Sequence, residues 1–294
     1  MIHIKNTCKR RDHMKTGDKV GIVCCSNGRK AKSKAEIEKL QKALESLGLV
    51  PVFSDTIYEK TAPGESNAKE RAEALMQFYM DSSIKAIFDI SGGDIANEIL
   101  PYLGMKQISQ YNKMFWGYSD LTTIINALYT CRSRMSVLYQ VRNLISEHTE
   151  IQMDEFKKYV FQEKEDLFQF PYEFIQGESM EGVLVGGNIR CFLKLAGTKY
   201  FPDMTGKILF LEAYSGDESK MITYFSQLQQ IGAFDKVKGV ILGTFTELEE
   251  KGKVSAEQLL MRFVHPKLPV VTTKAIGHGT DSKALMIGAY YKLD

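Results

Sequence analysis

Five apolar runs in the first half of the chain, separated by helical patterns, constrain the fold more than any other feature. They are "KVGIVCC" (19–25), "LVPVF" (49–53), "IKAIFDI" (84–90), "KMFWGY" (113–118) and "MSVLYQ" (135–140). A strand with one face in water alternates apolar and polar residues, whereas continuous apolar runs mark strands covered on both faces. The intervening patterns read as helices. "SKAEIEKLQKALESLG" has Ser33 and Glu36 at capping-box spacing and Gly48 as a stop signal. Further helices are expected near 67–80, through "IANEIL" and over 120–130. Strand–helix alternation of this kind predicts an α/β fold with a parallel sheet covered on both faces. Sites in such sheets form at the carboxyl ends of the strands, where Gly92-Gly93 and Ser119 both fall.

Residues 148 to 178 are charged, aromatic and poor in strand signals, and read as a linker or lid. Beyond them the rhythm restarts with "EGVLVGGN", a helix through "IRCFLKLAG", then "GKILFLE" and a helix near 219–231. "KGVILGTF", a helix near 255–264, "LPVVTTKAIGHG" and "KALMIGAYYKL" complete a mixed second half. The division expected is a tail (1–13), a nucleophile domain (14–150), the linker or lid (151–178) and a C-terminal domain (179–294). Ordered sequence is expected from "MKTGDKVGIVCC" onward, with Met14 an equally good initiator.

Composition narrows the function. A net charge of +2 gives no reason to expect a nucleic-acid partner. No segment approaches the roughly 18 apolar residues that cross a bilayer. The basic N-terminus lacks the apolar region of a secretory signal, so the expectation is no membrane and a cytoplasmic location. The five cysteines, Cys8, Cys24, Cys25, Cys131 and Cys191, lack the paired spacing of a zinc site and read as reduced and structural. Phosphate-loop, dinucleotide and zinc-protease motifs are absent, so no cofactor and no metal is expected.

The stretch "KMFWGYSDLTTIINALY" (113–129) puts a serine where a strand hands over to a helix. Such a corner exposes a hydroxyl beside unpaired amides, although Ser119 or Asp120 serves equally as a helix cap. A hydroxyl nucleophile needs a base. His3 and His13 lie in the tail, His148 in a polar stretch and His265 before a proline, which leaves His278 in "AIGHGTD". Glu212 follows an apolar strand, where a carboxylate needs a partner unless it points at water. The order Ser119, Glu212, His278 occurs in hydrolases, without the usual G-x-S-x-G elbow. Backbone N–H groups of Gly93 and Asp120, at the ends of nearby strands, can converge on one oxygen as an oxyanion hole.

At these residues the chain resembles the serine carboxypeptidases that include murein LD-carboxypeptidases and microcin C self-immunity proteins. The resemblance runs from "GDKVGIV" to the C-terminus through "SGGDIANEILPYL", "WGYSDLTTIINALY", "GVLVGGNIRCFLKLAGTKYFPDMTGKILFLEAY", "GAFDKVKGVILGTF" and "IGHG". It implies Ser119 as nucleophile, Glu212 as acid, His278 as base, and Gly93 and Asp120 as oxyanion donors. It also implies a Rossmann-like N-terminal domain, a smaller β-rich C-terminal domain, a site between them, no metal and often a homodimer. The murein branch usually has Arg-Gly-Gly-Tyr-Gly where this chain has Ser91-Gly92-Gly93-Asp94-Ile95, closer to the immunity branch. That branch carries an inter-domain tryptophan, while the single tryptophan here is Trp116. Phe168, Phe170, Tyr172 and Phe174 are the expected substitutes, and Gly92, Asn188, Phe170 and Tyr172 the candidate substrate contacts. The expected substrate is a muramoyltetrapeptide-like peptide, with an aminoacyl-nucleotide or peptide–nucleotide toxin as the alternative. A non-catalytic binding module is the third reading.

Overall fold

A computed structural model describes residues 2–5, 14–59 and 67–294. Residues 6–13 of the expected tail, Cys8 and His13 among them, lie outside the described residues. Strand β1 (His3–Lys5) does not hang free as a tail residue would: it joins the second of two sheets, described below.

The first sheet contains β2 (Lys19–Val23), β3 (Val50–Phe53), β4 (Ile84–Asp89), β5 (Met114–Gly117) and β6 (Ser136–Leu138), all parallel, in the order β3-β2-β4-β5-β6. Four helices cross between them: α1 (Lys34–Ser46), α2 (Ala68–Met80), α3 (Met105–Ile108) and α4 (Thr122–Arg132). The sequence "IANEIL" forms a 3-10 turn (Ala96–Tyr102), not an α-helix, because Pro101 removes a donor from its end. Helix α1 buries Ile37, Leu40 and Leu44, one stripe at helical spacing, and Gly48 closes it at φ +87°. Its expected capping box is not formed. Ser33 makes no side-chain cap bond, and Glu36 turns instead to Arg29 and Arg142.

Residues 148–178, expected as a linker or lid, are packed on the body of the fold as a helix and an edge strand. Helix α5 (Thr149–Gln162) buries Gln152, Phe156, Tyr159 and Val160. Phe156 packs with Trp116 (5.4 Å between ring centres), which is itself buried among Phe88, Tyr139 and Tyr159. The charged residues that suggested a solvated linker occupy the other face of this amphipathic helix. Strand β7 (Glu173–Gln176) then pairs antiparallel with β11 (Val270–Thr272) at a sheet edge.

The second half supplies β8 (Met180–Asn188), α6 (Ile189–Leu193), β9 (Lys207–Ala213), α7 (Glu218–Gln230), β10 (Gly239–Phe245), β11 (Val270–Thr272), β12 (Leu285–Ile287) and β13 (Tyr290–Leu293). The second sheet runs β1-β13-β8-β9-β10-β11-β7. Its centre, β8 to β11, is parallel and its outer strands are antiparallel. Strand β12 leaves this half and pairs with β6 on the edge of the first sheet. Among the described residues, no helix is long and apolar enough to cross a membrane.

Candidate active site

Gly117 ends β5, Tyr118 is extended, and Ser119 takes φ +56°, a left-handed conformation that a non-glycine residue adopts at a cost of about 1–2 kcal/mol. The turn swings the hydroxyl away from the helix it precedes. Neither Ser119 nor Asp120 caps α4 through its side chain. Ser119 Oγ lies 3.1 Å from His278 Nε2 instead.

His278 reaches the turn from a loop after β11. Gly277 beside it admits no side chain, because a Cβ there would overlap Thr244. The other ring nitrogen, Nδ1, lies 2.7 Å from Glu212 Oε2. Glu212 is fully buried within β9, so it does not point at water, and Asn188 Nδ2 donates to its second oxygen at 3.1 Å. Tyr118 and Tyr214 flank the imidazole with ring centres 5.0 and 4.9 Å away. Burial, with Glu212 adding to it, pushes the Tyr118 phenol well above its usual pKa.

The loop after β4 faces this corner. Gly93 has φ +113°, and a Cβ there would overlap Asn27 Oδ1. Asn27 fixes the loop by donating its N–H to Gly92 O (3.1 Å) and accepting from Asp94 N (3.0 Å). Beneath it, Asp89 accepts from Ser91 N, Ser91 Oγ and Cys25 N. Burial outweighs those bonds and pushes the Asp89 carboxyl up to about 6.

Asp120 ties this loop to the serine turn. Its fully buried carboxylate accepts from Ser26 Oγ (2.6 Å), Ala96 N (2.8 Å) and Lys194 Nζ (2.5 Å). Lys194 also donates to Asp94 O at 2.8 Å, and Arg190 pairs with Asp94, so α6 and the turn after it grip the glycine loop. Gly93 N–H and Asp120 N–H have no partner among the described residues.

A cavity of about 430 Å³ opens over Ser119 and His278, lined also by Gly92, Tyr214, Glu36 and Arg142. Of the expected substrate contacts, Gly92 is at this cavity. Asn188 is not: it is buried behind Glu212 and caps α6 through Cys191 N. Phe170 and Tyr172 line a separate depression with Ile2 and Asp294, where the Tyr172 hydroxyl donates to Asp294 O. The linker aromatics sit there because β7 is drawn into the edge of the second sheet and Phe168 into the core.

Several contributors escaped the sequence reading. Asn126 on α4 exchanges two hydrogen bonds with the backbone of Gly186 (2.8 and 2.9 Å), and Thr122 Oγ1 accepts from Asn188 N. Gly187 is required there, since a Cβ would overlap Thr122. The glycine pair in "VGGN" was the signal: two glycines inside an apolar strand mark close approach of another element.

Two family models match the chain. Residues 20–139 match the LD-carboxypeptidase N-terminal domain and residues 181–293 the LD-carboxypeptidase C-terminal domain. The probable murein peptide carboxypeptidase of Bacillus subtilis (strain 168) is 26% identical over 296 residues, covering 93% of this chain and 88% of its own. The microcin C7 self-immunity protein MccF of Escherichia coli is 26% identical over 208 residues, 60% of each chain. The solved structure of MccF in complex with glutamyl sulfamoyl guanosine superimposes with a TM-score of 0.87 at 20% identity, covering 96% of this chain and 94% of that one.

Proposed function

We propose, from the premise that this chain belongs to the LD-carboxypeptidase family, that it is a serine carboxypeptidase acting on a muramoyltetrapeptide-like peptide. The observation that carries the reading is the hydrogen-bonded series Ser119–His278–Glu212 opening into one cavity. His278 Nε2 takes the Ser119 proton as Oγ bonds to the scissile carbonyl carbon. The oxyanion so formed accepts from Gly93 and Asp120 N–H. His278 then gives its proton to the leaving amine as the C–N bond breaks. Water, deprotonated by the same imidazole, releases the acyl group and restores the hydroxyl. Glu212 holds His278 in the tautomer that presents a lone pair to Ser119.

Ser119→Ala is expected to abolish turnover with the fold retained, and chelators to leave the wild-type rate unchanged. Wild-type rates in the alanine variant, or loss on adding EDTA, would sink the serine mechanism. The second reading, hydrolysis of an aminoacyl-nucleotide, draws on the likeness to MccF and on exposed Tyr214 at the cavity. We rank it second because the linker aromatics expected to stack a base lie elsewhere, and stacking contributes about 1–3 kcal/mol per base. Comparing kcat/KM for both substrates under one condition decides the order. The reading further assigns residues 14–150 to the nucleophile and 179–294 to the acid and base, a cytoplasmic location, and a homodimer that sedimentation would detect.

A further inference from the structure

We propose that Arg142 recognises a carboxylate of the substrate, an inference that rests on the carboxypeptidase reading. An enzyme that cuts beside a free carboxylate must replace the water around that anion, and a guanidinium does so with two parallel N–H donors. The charged side chains lining the cavity over Ser119 are Glu36 and Arg142, apart from His278 itself. Arg142 is held in a fixed pose on the turn that follows β6. Its Nε donates to Gln140 Oε1 at 3.2 Å and its Nη1 to Glu36 Oε1 at 3.0 Å. Its Nη2 has no partner among the described residues. The side chain keeps 27% of its surface exposed, so the free edge remains accessible.

Charge balance points the same way. Glu36 is shared between Arg142 and Arg29, so two guanidiniums face one carboxylate. One positive charge is left over, the complement of a single carboxylate. Burial raises the Glu36 carboxyl, but the two arginines outweigh it and hold it below the usual carboxylate range. Glu36 therefore stays ionised, and it orients Arg142 instead of capping α1, the role its spacing suggested. The carboxylate has two possible sources: the C-terminus of a peptide, or the acidic side chain of an aminoacyl-nucleotide.

Equilibrium binding to Ser119→Ala protein separates these sources without depending on turnover. One pair of probes is an L,D-tetrapeptide as free acid and as C-terminal amide. The other is aspartyl-sulfamoyl adenosine and its asparaginyl counterpart. The expected result is at least tenfold tighter binding of the acid in one pair, abolished by Arg142→Gln and partly kept by Arg142→Lys. Glu36→Gln, which removes the internal competitor, should keep or enlarge the preference. No acid preference in either pair, a preference that survives Arg142→Gln, or equal losses from Arg142→Gln and Glu36→Gln would overturn the proposal. The parent reading fails separately, when wild-type protein turns over neither substrate or its Ser119 resists a fluorophosphonate label. In turnover, wild-type enzyme should favour the preferred acid through KM.

Discussion

The two sides of the candidate catalytic corner are held by different means. On the serine side, buried charge does the holding: Asp120 bonds to Ser26, Ala96 N and Lys194, and Asp89 grips Ser91 and Cys25. On the histidine side, close packing and one carboxylate suffice, with Gly277 pressed against Thr244 and Glu212 against Asn188. The serine side needs more because its backbone must hold Ser119 at positive φ. Within that side the carboxylates differ again. Asp120 faces a lysine, whereas Asp89 has only neutral donors and its carboxyl is raised to about 6.

The largest expected effect tests the histidine side. Glu212→Gln keeps shape but favours the wrong tautomer, and should lower kcat by about 10⁴ with stability little changed. A loss under tenfold would show that packing alone orients His278. Lys194→Met tests the serine side. It strands a buried carboxylate, and urea unfolding should register a loss of about 3–5 kcal/mol alongside reduced kcat. Loss of activity without loss of stability would mean that Lys194 does not hold the turn.

Asp89 gives the third test. It binds its proton more tightly folded than unfolded, so its contribution is complete below about pH 4 and is lost as pH rises through about 6. Relative to Asp89→Asn, wild-type stability should increase on going from pH 7 to 4.5, by about 2 kcal/mol. A stability difference that stays flat with pH would remove Asp89 from the account. The smallest effect belongs to Tyr172→Ala. It should change kcat/KM less than about twofold, since surface substitutions away from the site are usually near neutral. A tenfold loss on the aminoacyl-nucleotide alone would bring the linker back to the site.

The sequence foretold these regions unevenly. Strands β2 to β6 were legible because burial on both faces leaves uninterrupted apolar runs, and His278 stood out among few histidines. The glycine loop and Ser119 were placed by their position at strand ends. Charged residues were the weak point. Glu36 read as a cap, and α5 as a linker, because a one-dimensional pattern shows charge without showing the face it lies on. Asp120 was read for its amide, while its side chain, which draws Lys194 from 74 residues away, carries no local signature. Tyr172 was misplaced for the converse reason: aromatic residues next to a polar stretch do not reveal that a sheet edge will capture them.

Strand β12 has a consequence for how the molecule is made. During synthesis β6 emerges early, and its outer edge stays unpaired until Leu285–Ile287 leaves the ribosome. An uncovered edge is a template for pairing with another chain. The nascent first half therefore passes through a long interval in which it is liable to associate with its neighbours. Two residues after β12, the chain enters β13 and completes the other sheet. One short segment thus covers both the β6 edge and the β8 edge, and a ribosome that stalls before it releases a chain with both of those edges open.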